Sequence, residues 1–273
     1  MTQNPCYRLL RLNYTKMILR RLGNKSKIAM SIQKHFPQHD IYVEPFFGAG
    51  GMFFNKPKAK YNIVNDIDSE VFNLFQVVVN KKEELKELFY KMPIHQDLLE
   101  YWKTKTETDD VKKAVRFLFL SNCTFLGTGS QIRLTTQDDK LNVYDNIQKT
   151  FDYIFDVTFS NSDFRKFIKN ISYRHGDQDK ERTFFYCDPP YLATIDNYSH
   201  SFTQQDSIDL FDALEATGCK FAMSEFNNET IIDEATKRGL NIITVGERRN
   251  LKNVRTEILV TNYKNPMSLF DGW

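Results

Sequence analysis

The chain predicts an α/β fold: a mainly parallel sheet of seven strands that ends in an antiparallel hairpin, with a helical domain inserted into it. Three observations predict this. Short apolar runs recur along the 273 residues, and helical patterns lie between most of them. Such alternation produces a parallel sheet with helices on both faces. The last two runs are joined by a loop without a helical pattern, so they pair antiparallel. Between the second and third runs, Val71 to Thr150 holds mostly helical pattern. That interval is too long for a compact strand–helix connection and reads as an insert.

The elements follow in order. Ile28, Ile32 and Phe36 recur at helical spacing and predict a helix over Lys25–Phe36. Strands are expected at Ile41–Glu44, Tyr61–Asn65, Asp156–Asn161, Thr183–Cys187, Lys220–Ser224, Asn241–Val245 and Glu257–Tyr263. Val71, Leu74, Phe75 and Val78 form the apolar face of one helix, and Ile208, Phe211 and Leu214 that of another. In the insert, Lys82–Met92 and Val111–Leu120 are amphipathic, and a polar, glycine-containing stretch follows at Ser121–Thr136. The expected division is residues 1–70 with 151–273 for the sheet domain, and 71–150 for the insert.

Composition adds bounds. The length suffices for one large core, or one core and a small second domain. Thirty-seven basic residues against 35 acidic ones give a net charge of +2, too weak to argue for a nucleic-acid partner. Basic residues do cluster at Arg8–Lys27 and Arg248–Arg255, a local footprint. Cysteines at 6, 123, 187 and 219 lack metal-ligand spacing, and the five histidines are scattered. No metal site is expected, and such cysteine usage suits a cytoplasmic, reducing compartment. No apolar run approaches the roughly 18 residues of a membrane span. The first 16 residues are interrupted by Arg8 and Arg11, unlike a signal peptide, and read as an extension ahead of Met17.

The most informative segment is Asp188-Pro189-Pro190-Tyr191, directly after the apolar run Thr183–Cys187. Two prolines fix the backbone and remove two donors, leaving a stiff loop with spare carbonyls. The Asp188 carboxylate and the Pro189 carbonyl can accept hydrogen bonds from an amino group, and the Tyr191 ring can stack on a flat heterocycle. A proline-rich turn after a strand is the plainer reading. Upstream, Ile41–Glu44 runs into Pro45-Phe46-Phe47-Gly48-Ala49-Gly50-Gly51. Glycines there permit a sharp turn and close approach of backbone to a ligand. Glu44 offers an acceptor for a ligand amine or hydroxyl. The next strand ends at Asp66, where α/β nucleotide folds grip ribose hydroxyls; a helix cap is the alternative role.

Taken in this order, the motifs resemble those of the Dam-like DNA adenine methyltransferases, from about Met17 onward. The resemblance implies a Rossmann-like S-adenosylmethionine-dependent methyltransferase fold, with double-stranded DNA as partner and a cognate restriction endonuclease as a possible one. It makes Asp188, Pro189, Pro190 and Tyr191 the catalytic set. Leu22–Lys27 resembles the family's N-terminal element, which implies Lys25 as a partner for the cofactor carboxylate; a solvated lysine is the competing account. Phe46, Gly48, Gly50 and Asp66 would complete the cofactor turn, together with Glu44 and Asp188. Asp163 and Phe164 would hold the cofactor adenine, by hydrogen bond and ring contact, and a strand end capped by Asp163 is the competing account. Thr194–Phe202 resembles the mobile loop that closes over the base, with Tyr198 and Phe202 as anchors or core residues.

The insert implies target recognition, and there the chain departs from the Dam pattern. Ser121-Asn122 and Gly127-Thr128-Gly129-Ser130 replace the family's asparagine-arginine pair and its glycine-leucine-x-arginine run. A GATC-type target is therefore in doubt. Gln131 and Arg133 suit adenine and guanine edges respectively, unless the stretch is an ordinary polar hairpin. Arg249, Lys252 and Arg255, on a basic loop before the last strand, suit DNA phosphates or a solvated turn. Other amino-group targets stay open at this level, namely cytosine in DNA, adenine in RNA or a protein amide, as does a non-catalytic DNA- or cofactor-binding role beside another methyltransferase. The intact acid, prolines and tyrosine argue against the last.

Overall fold

The computed structural model describes residues 17–21, 23–135, 139–192, 202–249 and 254–264. Seven strands form one sheet: β1 (Ile41–Glu44), β2 (Tyr61–Asn65), β3 (Thr158–Ser160), β4 (Thr183–Cys187), β5 (Lys220–Phe226), β6 (Asn241–Arg249) and β7 (Val254–Thr261). Helices between them are α1 (Ala29–Gln33), α2 (Ser69–Asn80), α3 (Lys82–Lys91), α4 (Gln96–Thr104), α5 (Asp110–Cys123), α6 (Asp139–Ile154), α7 (Phe164–Lys169), α8 (Asp177–Glu181), α9 (Gln204–Thr217) and α10 (Glu229–Lys237). The sheet order is β3-β2-β1-β4-β5-β7-β6. Neighbours from β3 to β5 pair parallel, and β7 pairs antiparallel with both β5 and β6. This is the mainly parallel sheet with a terminal antiparallel hairpin expected from the alternation.

The chain divides into two compact units. One, of residues 27–48, 58–72 and 157–273, contains the whole sheet. β4 is buried at every position, which explains why Thr183–Cys187 reads as a continuous apolar run rather than an alternating one. One core of this unit joins Val43, Phe185 and Phe221 of the sheet to Leu210, Phe211 and Leu214 of α9. Helix α9 starts at a capping box in which Thr203 and Asp206 bond each other's backbone, and it stops at Gly218 in the left-handed conformation.

The other unit, of residues 1–26, 49–57 and 73–156, contains helices α3 to α6 and, among its described residues, no strand of the sheet. Here α3 packs on α5 and α6. Leu85, Phe89, Leu118, Phe119 and Ile147 are fully buried, the helical spacing expected of amphipathic segments. Met17–Arg21 is pinned along the end of α5. The Asn122 amide donates to the Ile18 carbonyl at 2.8 Å, and the Ser121 hydroxyl bonds the Arg20 N–H and carbonyl at 2.7 and 2.6 Å.

Several elements differ from expectation. Lys25–Phe36 is not one helix but a 3-10 turn (Lys25–Lys27) followed by the five-residue α1, whose N-cap residue Ile28 has no side-chain acceptor. β6 continues to Arg249 past an irregularity between Thr244 and Gly246, and β7 begins at Val254. The expected basic loop is therefore largely strand: Arg248 pairs with Arg255, and Arg249 with Val254. Charged residues fit there because a ladder of backbone hydrogen bonds does not require apolar side chains.

Candidate active site

Parallel strands deliver their carboxyl ends to one edge of the sheet. From β1 the chain runs outward through β2 to β3, then returns to β4 on the other side of β1. The gap between β1 and β4 is thus a topological switch point, where open α/β sheets bind ligands. Glu44 ends β1 there and Asp188 follows β4. Glu44 is 2% exposed and accepts from the Tyr42 hydroxyl at 2.8 Å. Asp188 is partly exposed. Burial, then the charges of Glu44 and Asp188, push the Cys187 thiol well above its usual range, so both carboxylates act on the same spot. Pro189 and Tyr191 are buried, and Pro190 is partly exposed.

The glycine turn after β1 is organised by two residues. Gly48 has a φ of +54°, which a side chain disfavours, and a Cβ there would meet nothing within 4 Å. Its N–H donates to Asp66 Oδ2 at 2.5 Å, while Asp66 Oδ1 accepts from the Asp68 N–H at 2.9 Å. Asp66 is not the cap of α2; Asp68 is, accepting from the Glu70 N–H at 2.9 Å. The second organiser, Asn65, reads in the sequence only as a strand residue. It is 1% exposed and donates to the carbonyls of Pro45 and Ser162 at 3.0 and 2.9 Å. Its own Oδ1 accepts from the Ser162 N–H at 3.0 Å. One buried amide thus fastens the loops after β1 and β3 to β2. A polar residue at the end of β2, directly after Ile63 and Val64, was its only sequence signal.

Asp163 caps α7 by accepting from the Arg165 N–H at 2.9 Å, and pairs with the Arg165 guanidinium at 3.0 Å. Arg165 also pairs with Asp206 and, at 2.7 Å, with Asp209 of α9. The Phe164 ring lies 5.4 Å from that of Phe46 and 6.0 Å from that of Phe202. Phe46, Phe164 and Phe202 therefore form one aromatic group beside the acids. Gly50 and Lys25 belong to the helical unit. There a Cβ on Gly51 would fall 1.9 Å from Asn24 Oδ1 and 3.0 Å from the Lys25 N–H nitrogen, so Gly51 lets the glycine turn pack against the segment carrying the buried Lys25.

The acceptors along this edge suit the hydroxyls and amine of a nucleoside-containing cofactor. A family model for D12 class N6 adenine-specific DNA methyltransferases matches residues 22–251. The chain belongs to this family. It is 25% identical over 282 residues to the type II methyltransferase M1.LlaDCHI of Lactococcus lactis subsp. cremoris, covering 89% of this chain and 94% of that protein. It is 26% identical over 219 residues to the DNA adenine methylase of Escherichia coli K12, covering 73% and 76%. Among solved structures, the rRNA methyltransferase AviRa of Streptomyces viridochromogenes overlaps at a TM-score of 0.37 and 8% identity, covering 86% and 84%. The fold assignment rests on the sheet itself.

As a D12 class methyltransferase, the chain acts on adenine in DNA. Its target-facing candidates fare unevenly in the structure. Gln131 is exposed, and the Thr124–Ile132 bridge closes a loop without forming hairpin strands. Arg133, expected to be free for a guanine, instead pairs with Asp139, which also takes Arg20 at 2.7 Å. The physical reason is the nearly buried Asp139 carboxylate, which needs cationic partners. Ser121 and Asn122 are buried and committed to the N-terminal segment, as described above. Arg255 is partly exposed and lies over the Phe226 ring at 5.2 Å. Only the backbone of Arg249 is described, at the end of β6, and Tyr198 and Lys252 lie outside the described residues. Among the described residues, no helix is long and apolar enough to cross a membrane, and no group of acidic, cysteine and histidine side chains is arranged to hold a metal.

Proposed function

We propose that this D12 class enzyme methylates the exocyclic amino group of an adenine flipped out of double-stranded DNA at a specific sequence. The carrying observation is Asp188–Tyr191 at the carboxyl end of β4, beside Glu44 at the switch point. An adenine amino group is a poor nucleophile, because its lone pair is delocalised into the ring. Asp188 and the Pro189 carbonyl accept its two hydrogens, which favours a more tetrahedral nitrogen. Positioning and fixed acceptors supply the rate, without a covalent enzyme intermediate. Tyr191 stacks on the base and offsets the loss of stacking in the duplex.

The family and fold imply S-adenosylmethionine, and the acceptor-rich edge fits it. Asp66 suits the ribose hydroxyls, and Glu44 the amine. Asp163, Phe164 and Phe46 suit the adenine, and Gly48 and Gly50 admit close backbone approach. Lys25 is assigned to the carboxylate by resemblance. When bound, the cofactor supplies the methyl group from its sulfonium. Residues 71–150 are assigned to target recognition, with Gln131 the exposed candidate for a base edge and Arg255 for a phosphate. Single-molecule sequencing of DNA from cells expressing the chain tests the reading. N6-methyladenine at one defined sequence is the expected result; methylation confined to cytosine, or none, overturns it.

A further inference from the structure

We propose that Glu257 is a positioning residue for the target base, holding the Tyr191 ring in the orientation that stacking requires. The inference rests on the reading of Asp188–Tyr191 as the base clamp. Two prolines fix the backbone ahead of Tyr191, but they leave its side-chain torsions free. Those torsions are restrained from β5 and β7. The Tyr191 hydroxyl donates to the Glu257 carboxylate. The Tyr191 and Phe226 rings meet edge to face, with centroids 4.5 Å apart and planes at 80°. Glu257 and Phe226 stand directly opposite each other in the β5–β7 pair, so one cross-strand position supplies both restraints.

Burial argues that this arrangement serves a purpose. Glu257 is 1% exposed, and the three residues after it, Ile258, Leu259 and Val260, are apolar core. A carboxylate buried there costs stability unless it is hydrogen-bonded, whereas another apolar side chain would simply pack. A second buried acid fixes the surrounding backbone. Glu225, also 1% exposed, accepts from the Phe226 N–H at 2.8 Å and from the Leu192 N–H at 3.4 Å. It thereby holds the residue after Tyr191 and the residue that meets its ring. A cleft of about 330 Å³ opens beside this group, lined by Leu192, Phe226, Asn227 and Arg255 among others. A ring already held in place loses less freedom when a base stacks on it, so more of the contact energy reaches the bound state.

Methyl transfer to plasmid DNA at saturating S-adenosylmethionine tests the proposal, with cofactor affinity by calorimetry and a thermal melt in parallel. The variants are Glu257→Ala, Glu257→Gln, Tyr191→Phe and the double variant Glu257→Ala/Tyr191→Phe. Glu257→Ala and Tyr191→Phe should each lower kcat/KM for DNA at least tenfold, with cofactor affinity within twofold of wild type. Glu257→Gln, whose amide oxygen still accepts the hydroxyl, should recover most of the loss. The double variant should be no worse than the weaker single one, because both substitutions delete one bond. Tyr191→Phe keeps the ring, so it decides the matter even where Glu257→Ala fails to fold. Transfer by Tyr191→Phe within twofold of wild type overturns the proposal. So does loss of activity in Glu257→Ala that follows the melting temperature and cofactor affinity and is not rescued by Gln. Wild-type protein that leaves adenine unmethylated overturns the underlying reading instead.

Discussion

Asp188→Ala should lower methyl transfer at least about 100-fold, as loss of one positioned polar group at a reacting centre does. Cofactor affinity should change much less, because Glu44, Asp66 and the glycine turn remain. Tritiated methyl transfer beside calorimetric titration checks both halves, and near-normal turnover would remove Asp188 from the chemistry. Asp188 was legible because its motif is local: an apolar strand, an acid, two prolines and a ring. Asn65 was not, since its partners Pro45 and Ser162 are 20 and 97 residues away. Arg133 differs: Asp139 lies only six residues on, but the burial of that acid, and the approach of Arg20 from 119 residues away, arise only in the fold.

At the scale of elements, β1, β2 and β4 span the residues expected of them, because each is a short apolar run bounded by a polar or proline-rich turn. β6 and β7 were underestimated because Glu247, Arg248 and Arg255 hide strand in a charged stretch. The entry to β4 carries a pH expectation. The Asp179 carboxylate, in the middle of the five-residue α8, accepts from Arg182 at 2.6 Å and from the His175 N–H at 2.9 Å. The Arg182 bond, then the His175 N–H, hold it below the ordinary aspartate range. Its contribution to stability is therefore complete above the unfolded value of about 4 and is lost as the pH falls through the lower folded value. Asp179→Asn should lower the melting temperature at pH 7, and the deficit relative to wild type should shrink below about pH 4. A deficit that stays constant from pH 7 to pH 3 would detach Asp179 from acid unfolding.

For the whole molecule, a ligand that binds only the folded chain must stabilise it. At about 100 times its dissociation constant, S-adenosylmethionine or its demethylated product should add about 2.7 kcal/mol. For a chain of this size that is a rise in melting temperature of roughly 5–10 °C. A melt unchanged by either compound would contradict the cofactor assignment. The sheet order has a further consequence. β7, the last of the described strands, lies between β5 and β6, and among the described residues β6 has no other neighbour in the sheet. A reading frame cut short before Val254 would therefore lose two strands rather than one. It would leave β5 as a raw edge, its unpaired backbone groups open to other chains. Such fragments should aggregate rather than persist as partial enzymes, so a ribosome must deliver β7 before the sheet has a finished side.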